Sequence, residues 1–362
     1  MNVPFNDFKS EYAELKPSLD TAVHRVLESG WYLLGDELKT FEGKLKDALE
    51  IEFALGVANG TDAIALALMA LDIGPGDEVI TTALTAYPTI TGIQMAGAKP
   101  VVVDVDLATG LIDPTAIEAA VTPRTRCIIP VHLYGQCADM TAILAIAKRR
   151  GLRVVEDCAQ AILARHDGAI AGGMGDIGCY SFYPTKNLGA FGDAGAVATR
   201  DPDLARRLEA MRNYGQTAKY RHDLPGRNSR LDELQAAILA VKLDHLAAWT
   251  TRRQTLAQRY RDELQGVDSL SVLPTSEHVY HLYVVRHPER DRLITHLAAA
   301  GIQALIHYPL AIHQQRAYNG AAGPLPHAEL LAREVLSLPL RPTLTNDDQT
   351  LIIDTVNRHV NS

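Results

Sequence analysis

Between Phe53 and Thr199 short apolar runs alternate with segments whose apolar residues recur at helical spacing, the pattern of a sheet covered by helices on both faces. The runs predict strands at Phe53 to Ala58, Glu78 to Thr82, Pro100 to Asp104, Arg126 to Val131, Arg153 to Asp157, Ile177 to Phe182 and Gly195 to Thr199. Several, such as Cys127-Ile-Ile-Pro-Val131, are apolar at consecutive positions, as strands buried on both faces of a mainly parallel sheet must be. Ala63 to Leu71 and Met140 to Arg149 carry the helical period. From Leu231 to Leu264 that period runs on with no proline or glycine to interrupt it, so one long connecting helix is expected. Beyond Asp268 the pattern predicts a strand at His281 to Arg286, a helix from Arg290 to Ala300 and a closing helix from Asp347 to His359. The fold class read from this is α/β: a large domain over residues 1–240 with a mostly parallel seven-stranded sheet between helices, and a smaller α+β domain over 241–362, joined by the long helix at 231–264.

Size agrees with that division, since 362 residues exceed what a single hydrophobic core usually holds. A hydrophobic fraction of 47% with 22% charged residues decides against a disordered chain. The longest apolar run, Ile64 to Leu71, is too short to cross a bilayer. Met1 to Ser10 is polar, without the basic stretch and apolar core of an export signal, so a cytoplasmic protein is expected. Cys127, Cys137, Cys158 and Cys179 lack the paired spacings of zinc or redox sites, and buried reduced thiols with no metal are the expectation. A net charge of -8 leaves no basic field for a polyanion, which argues against nucleic acid and leaves room for a small anion in a local pocket.

Three segments carry candidate chemistry. Ser181-Phe-Tyr-Pro-Thr-Lys-Asn-Leu-Gly-Ala-Phe-Gly-Asp193 ends a strand and, after Pro184, sets Lys186 in a loop at the sheet edge, where open α/β sheets bind ligands. A lysine that attacks a carbonyl needs a lowered pKa, which burial supplies; taken alone, Lys186 reads more readily as a solvent-exposed loop residue. Val154-Val-Glu-Asp157-Cys-Ala-Gln160 is a buried strand that ends in an acid, which by itself could be a helix cap or a ribose contact. Ala58-Asn-Gly-Thr-Asp62 turns from strand to helix, where a glycine and the first helical amides can meet an anion or merely cap the helix.

In the order anion loop, acid, lysine, these segments resemble the sugar aminotransferase (DegT-type) branch of the aspartate-aminotransferase-like, pyridoxal-phosphate-dependent fold. The resemblance runs the length of the chain, through Trp31-Tyr-Leu-Leu-Gly35, Gly74-Pro-Gly-Asp-Glu-Val79, Pro130-Val-His-Leu-Tyr-Gly135, Asn228-Ser-Arg-Leu-Asp-Glu-Leu-Gln-Ala236 and His307-Tyr-Pro309. It implies that Lys186 holds pyridoxal phosphate, Asp157 pairs with its ring nitrogen, Gln160 sits near its ring hydroxyl, and Gly60, Thr61 and Ser181 bind its phosphate. Tyr87 falls where the family sets a flat group over the ring, with core packing as the alternative. Asn228 would reach the cofactor phosphate of a second subunit, making a homodimer with shared sites; on physical grounds Asn228 or Ser229 could equally cap the long helix, with Asp232 and Glu233 in its first turn. Tyr183, His281, His307, Tyr308 and His313 would lie toward the substrate, while His132 reads as a hydrogen-bonded core histidine.

Lys186-Asn-Leu-Gly189 followed by Gly192-Asp193, and Ile306-His-Tyr-Pro-Leu-Ala-Ile-His-Gln-Gln-Arg-Ala-Tyr318, resemble members that act at the third carbon of the sugar. Thr185 departs from the glycine or serine frequent before the lysine. The implied reaction moves an amino group from L-glutamate to a nucleotide-linked keto sugar, foremost a dTDP-linked 3-keto-6-deoxyhexose, with pyridoxamine phosphate formed between half-reactions. Alternatives are transfer at the fourth carbon or on another nucleotide sugar, a sugar dehydratase, which Lys186 opposes, and a non-enzymatic regulator that binds the same cofactor.

Overall fold

A computed structural model of the chain describes residues 2–360. Seven strands form the central sheet: β1 (Phe53–Val57), β2 (Glu78–Thr82), β3 (Lys99–Val103), β4 (Thr125–Ile129), β5 (Arg153–Asp157), β6 (Ile177–Ser181) and β7 (Gly195–Thr199), in the spatial order β1-β7-β6-β5-β4-β2-β3. Neighbours pair in parallel except at β7, which runs antiparallel to both β1 and β6. The sheet is therefore mostly parallel, as its doubly apolar strands require.

Side chains alternate between two buried faces. On one face Val79, Ile129, Val155, Cys179 and Val197 pack against α3 (Gly60–Ala70) and α7 (Pro202–Met211) through Ile64, Ala67, Leu68 and Leu208. On the other, Ile80, Ile128 and Val154 meet α5 (Pro114–Ala120) and α6 (Met140–Arg150), while Ala54, Tyr180 and Ala198 meet α2 (Asp36–Ala48) and α8 (Glu233–Leu243). All four cysteines are buried and free.

The continuous helix expected over 231–264 is two helices, α8 and α9 (Leu246–Glu263), with Asp244 and His245 between them. Neither residue breaks a helix intrinsically, yet the chain leaves the helical path there. Lys44 donates to the Asp244 carboxylate at 2.7 Å and to the carbonyl of Ala240 at 3.2 Å, and the His245 ring stacks on Trp249. The bend lets Leu243 and Leu246 enter the same core.

Beyond α9, strands at Asp268–Ser269, Tyr283–Arg286 and Val335–Leu338 form a small antiparallel sheet. Leu256 and Tyr260 of α9, Leu293 and Leu297 of the helix Arg290–Ala299, and Ile352 and Val356 of the closing helix Asn346–Val360 cover it. Val3 joins this core by bridging to Ile302, so the amino-terminal residues pack with the carboxyl-terminal part of the chain. Among the described residues no helix is long and apolar enough to cross a membrane.

Candidate active site

The parallel strands direct their carboxyl ends to one side of the sheet, and a cavity of about 640 Å³ opens there. Its lining comes from the turn after β1 (Asn59, Gly60, Thr61, Asp62), the stretch after β2 (Thr85, Ala86, Pro88, Thr89), the ends of β5 and β6 (Asp157, Gln160, Ser181), the loop after β6 (Tyr183, Thr185, Lys186, Asp193), and His281, His307 and Tyr308 from the later part of the chain.

Asn59 caps α3 by accepting the amide of Asp62 at 2.8 Å, which leaves the amides of Gly60 and Thr61 for a ligand at the cavity edge. Gly60 fits because a Cβ there would stand 2.7 Å from Ser181 Cβ. A helix start whose amides face a cavity is a ready anion site.

Asp157 is 4% exposed. Its Oδ1 accepts the amide of Ala159 at 3.1 Å and its Oδ2 accepts the hydroxyl of Thr89 at 2.8 Å, which in turn contacts Thr85 Oγ1 at 3.1 Å. Burial pushes its carboxyl above the ordinary range, and those hydrogen bonds with the charge of Lys186 only partly offset it. Glu156, one residue earlier, points to the opposite face, where it accepts the amides of Gly172, Met174 and Gly175 and bonds His132 Nε2 at 2.9 Å. Burial raises Glu156, but His132 and the loop amides outweigh it and hold the carboxyl below its usual value. His132, Glu156 and Cys158 have metal-ligand spacing, yet the first two are spent on each other, so His132 is the core histidine expected.

Lys186 lines the cavity, and burial draws its amine from 10.5 down to about 8, opposed by Asp157. Roughly a tenth of the amine is then unprotonated at pH 7, far more than for an ordinary lysine, as a carbonyl-capturing amine needs. Gln160 accepts the amide of Tyr134 at 2.7 Å and donates to Tyr308 Oη at 2.9 Å. Burial and the charge of Lys186 lower His307 to about 4, so its ring is neutral and bonds Ser337 Oγ at 2.9 Å.

Three expected residues lie outside the lining. Tyr87 packs among core residues at the start of α4 (Pro88–Met95), because the helix turns Ala86 and Pro88 toward the cavity instead. His313 is spent on Glu329 at 2.9 Å. Asn228 is exposed on the loop before α8, its backbone bridging Asn213. Neither Asn228 nor Ser229 caps α8: the helix starts after Asp232, and Ser229 Oγ accepts the amide of Ala58 at 3.2 Å. Thr89 was not legible as a site residue, since nothing in the pattern of its neighbours distinguishes a threonine that holds the acid from one in a helix start.

A near-neutral amine, a buried carboxylate with lone pairs left toward the cavity, and free helix amides fit one group: a phosphorylated aldehyde with a basic ring nitrogen, which is pyridoxal phosphate. The match to known proteins decides the family, because the DegT/DnrJ/EryC1/StrS aminotransferase model spans residues 14–357. The chain belongs to that aminotransferase family. It is 48% identical over 360 residues to the dTDP-3-amino-3,4,6-trideoxy-α-D-glucose transaminase of Streptomyces venezuelae, covering 98% of this chain and 95% of that one. The structure of S. venezuelae DesV in complex with a ketimine intermediate superposes with a TM-score of 0.97 at 46% identity, covering 100% of this chain and 99% of that one. NtdA from Bacillus subtilis, solved with bound pyridoxamine phosphate, matches with a TM-score of 0.91 at 32% identity, over 100% of this chain and 86% of that one. The protein is thus a pyridoxal-phosphate-dependent aminotransferase with the aspartate-aminotransferase-like fold expected.

Proposed function

We propose that the protein moves the amino group of L-glutamate to the third carbon of a dTDP-linked 3-keto-6-deoxyhexose, as a cytoplasmic homodimer whose sites are completed across the interface. The observation that carries the reading is Lys186 and Asp157 in one cavity, the amine lowered to about 8 and the acid held by Thr89 and Ala159. The third-carbon assignment draws on the S. venezuelae relative, whose name places its amino group there. The retained lysine and acid speak against a dehydratase or a regulator.

Bound pyridoxal phosphate would supply an aldehyde for amines and a ring that takes up the electron pair released when a substrate C–H bond breaks. The amides of Gly60 and Thr61, with the Ser181 hydroxyl, would bind its phosphate, and Asp157 would keep its ring nitrogen protonated. Gln160 would lie by the ring hydroxyl. Lys186 would hold the group covalently at rest and, once released by the amino donor, carry a proton at Nζ between substrate carbon and cofactor. Tyr183, His281, His307 and Tyr308, which line the same cavity, would face the sugar. Two half-reactions in one site give ping-pong kinetics. Residues 1–240 and 241–362 would act as two domains, with the boundary inside α8 just ahead of the break at Asp244 and His245.

The test converts the holoenzyme to its pyridoxamine form with L-glutamate, then adds nucleotide keto sugars one at a time and follows recovery of the pyridoxal spectrum. Fast recovery is expected with the dTDP-linked 3-keto-6-deoxyhexose. Faster recovery with a 4-keto or a UDP-linked sugar would replace the substrate assigned here.

A further inference from the structure

Asn187 follows Lys186 directly, is 6% exposed, and its amide is engaged at both ends. Its Nδ2 lies 3.1 Å from the carbonyl oxygen of Val279, and its Oδ1 lies 3.2 Å from His281 Nδ1. The carbonyl of Val279 can only accept, so the amide must turn its NH2 there and its oxygen toward the histidine. An amide oxygen can only accept as well, so Nδ1 of His281 must carry the proton. His281 is 7% exposed, and Arg253 holds its backbone by donating to the carbonyls of Tyr280 at 3.2 Å and of His281 itself at 3.5 Å. Burial and then the positive charges of Lys186 and Arg253 keep the ring from taking a second proton; Asp157, which also lines the cavity, is the acid on that side. Nε2 therefore carries a lone pair. Among the described residues it has no partner, while His281 lines the cavity.

We propose that Asn187 locks His281 as the Nδ1–H tautomer, so that its bare Nε2 accepts a hydrogen bond from a hydroxyl of the sugar bound in the cavity. This rests on the keto-sugar reading above. Asn187 is a positioning residue: it touches no substrate and acts through the histidine. The chain thereby links the loop of the cofactor lysine to the segment that selects the sugar, and the site asks its substrate for a donor at that point.

The holoenzyme labelled with 15N-histidine tests the lock without any sugar. The His281 signals, identified by their loss in His281→Phe, are expected to show a protonated Nδ1 and a bare Nε2 through the neutral range; the opposite tautomer overturns the inference. Kinetics with the dTDP-linked 3-keto-6-deoxyhexose supply the second arm. In Asn187→Asp the carboxylate favours a doubly protonated His281, turning Nε2 into a donor. KM for the sugar should rise about tenfold or more at neutral pH, the scale of one lost hydrogen bond, and return toward the wild-type value as the pH rises and Nε2 loses its proton. A KM unchanged in the variant, or raised equally at every pH, defeats the claim that the lone pair is what the sugar meets. If the wild type itself turns over no such sugar, the substrate reading falls and the sugar contact with it, while the tautomer measured on the sugar-free holoenzyme still decides the lock.

Discussion

Asp157 sits where two demands oppose each other: burial favours its neutral form, and the role proposed for it needs the charge. Thr89 and the amide of Ala159 supply the compensation. Asp157→Asn should keep the fold and bind cofactor but lose on the order of a thousandfold in turnover, several kcal/mol of transition-state stabilisation; turnover near the wild-type rate would make Asp157 a structural acid. Thr89→Val gives the sign a second way. The hydroxyl lowers the carboxyl, so its loss raises the pKa, and activity that depends on the ionised acid should fail at higher pH on the acid limb. An acid limb that stays in place or moves down contradicts this. Lys186 carries a cost in the apoprotein, since its amine binds a proton less tightly folded, at about 8, than unfolded, at 10.5. The unfolded chain holds more protons between those values, so stability rises with pH across that window and the full penalty, up to about 3 kcal/mol, applies below pH 8. Apo Lys186→Met should therefore resist urea better than the apo wild type at pH 7, with the gap closing above pH 10. Equal midpoints at pH 7 would show the amine to be far better solvated than its surroundings suggest.

At the scale of elements, Glu233 illustrates a role that sequence alone could not assign. Its position invites reading as a first-turn acid of the helix it begins, yet the carboxylate is buried at 2% exposure and caps a different helix, α2. It accepts the amides of Gly35 at 2.8 Å, Glu37 at 2.9 Å and Leu38 at 3.2 Å, groups that Gly35, with no side chain, cannot satisfy. Glu233→Gln keeps the shape but sets an NH2 against amide donors, and should cost about 2 kcal/mol, read as a lowered thermal midpoint; an unchanged midpoint would mean that α2 needs no such cap. The sheet was legible because its strands are short, apolar on both faces and closed by turn residues: Glu78–Thr82, Arg153–Asp157 and Gly195–Thr199 fall at the bounds their residues predict. The break at Asp244 and His245 was not, because the apolar period runs through it and neither residue is a helix breaker. The opening helix Phe8–Ser29 is masked by Pro17 in its middle, which reads as a breaker. In the site, the lysine, acid and anion turn stood out as contiguous motifs. Thr89 and the pairing of Asn187 with His281 join residues 68 and 94 positions apart, a relation only the fold creates.

For the whole molecule the question is what covers Asn228, which is exposed and outside the cavity although the family resemblance sends it to a phosphate. In the homodimer proposed above, a second copy of the chain would cover it. Trp31 is 63% exposed, Tyr32 51% and Tyr214 45%, and bridges from Leu33 to Asp232 and from Asn213 to Asn228 set these segments side by side. An apolar patch beside a polar loop is the usual mark of an interface. In a two-fold dimer each Asn228 would meet the site of the other chain reciprocally. Lys186→Ala should be inactive, and Asn228→Asp should hold cofactor poorly because a carboxylate beside a phosphate adds like charge. Unfolded together and refolded as mixed dimers, the two variants distribute their defects unevenly. One site collects both substitutions and is dead. The other combines the natural Lys186 of one chain with the natural Asn228 of its partner, and activity should reappear, approaching about a quarter of the wild-type value per site if pairing is random. Should mixed dimers form, as shown by a size-tagged partner, and still lack activity, Asn228 serves its own chain and the shared site is wrong.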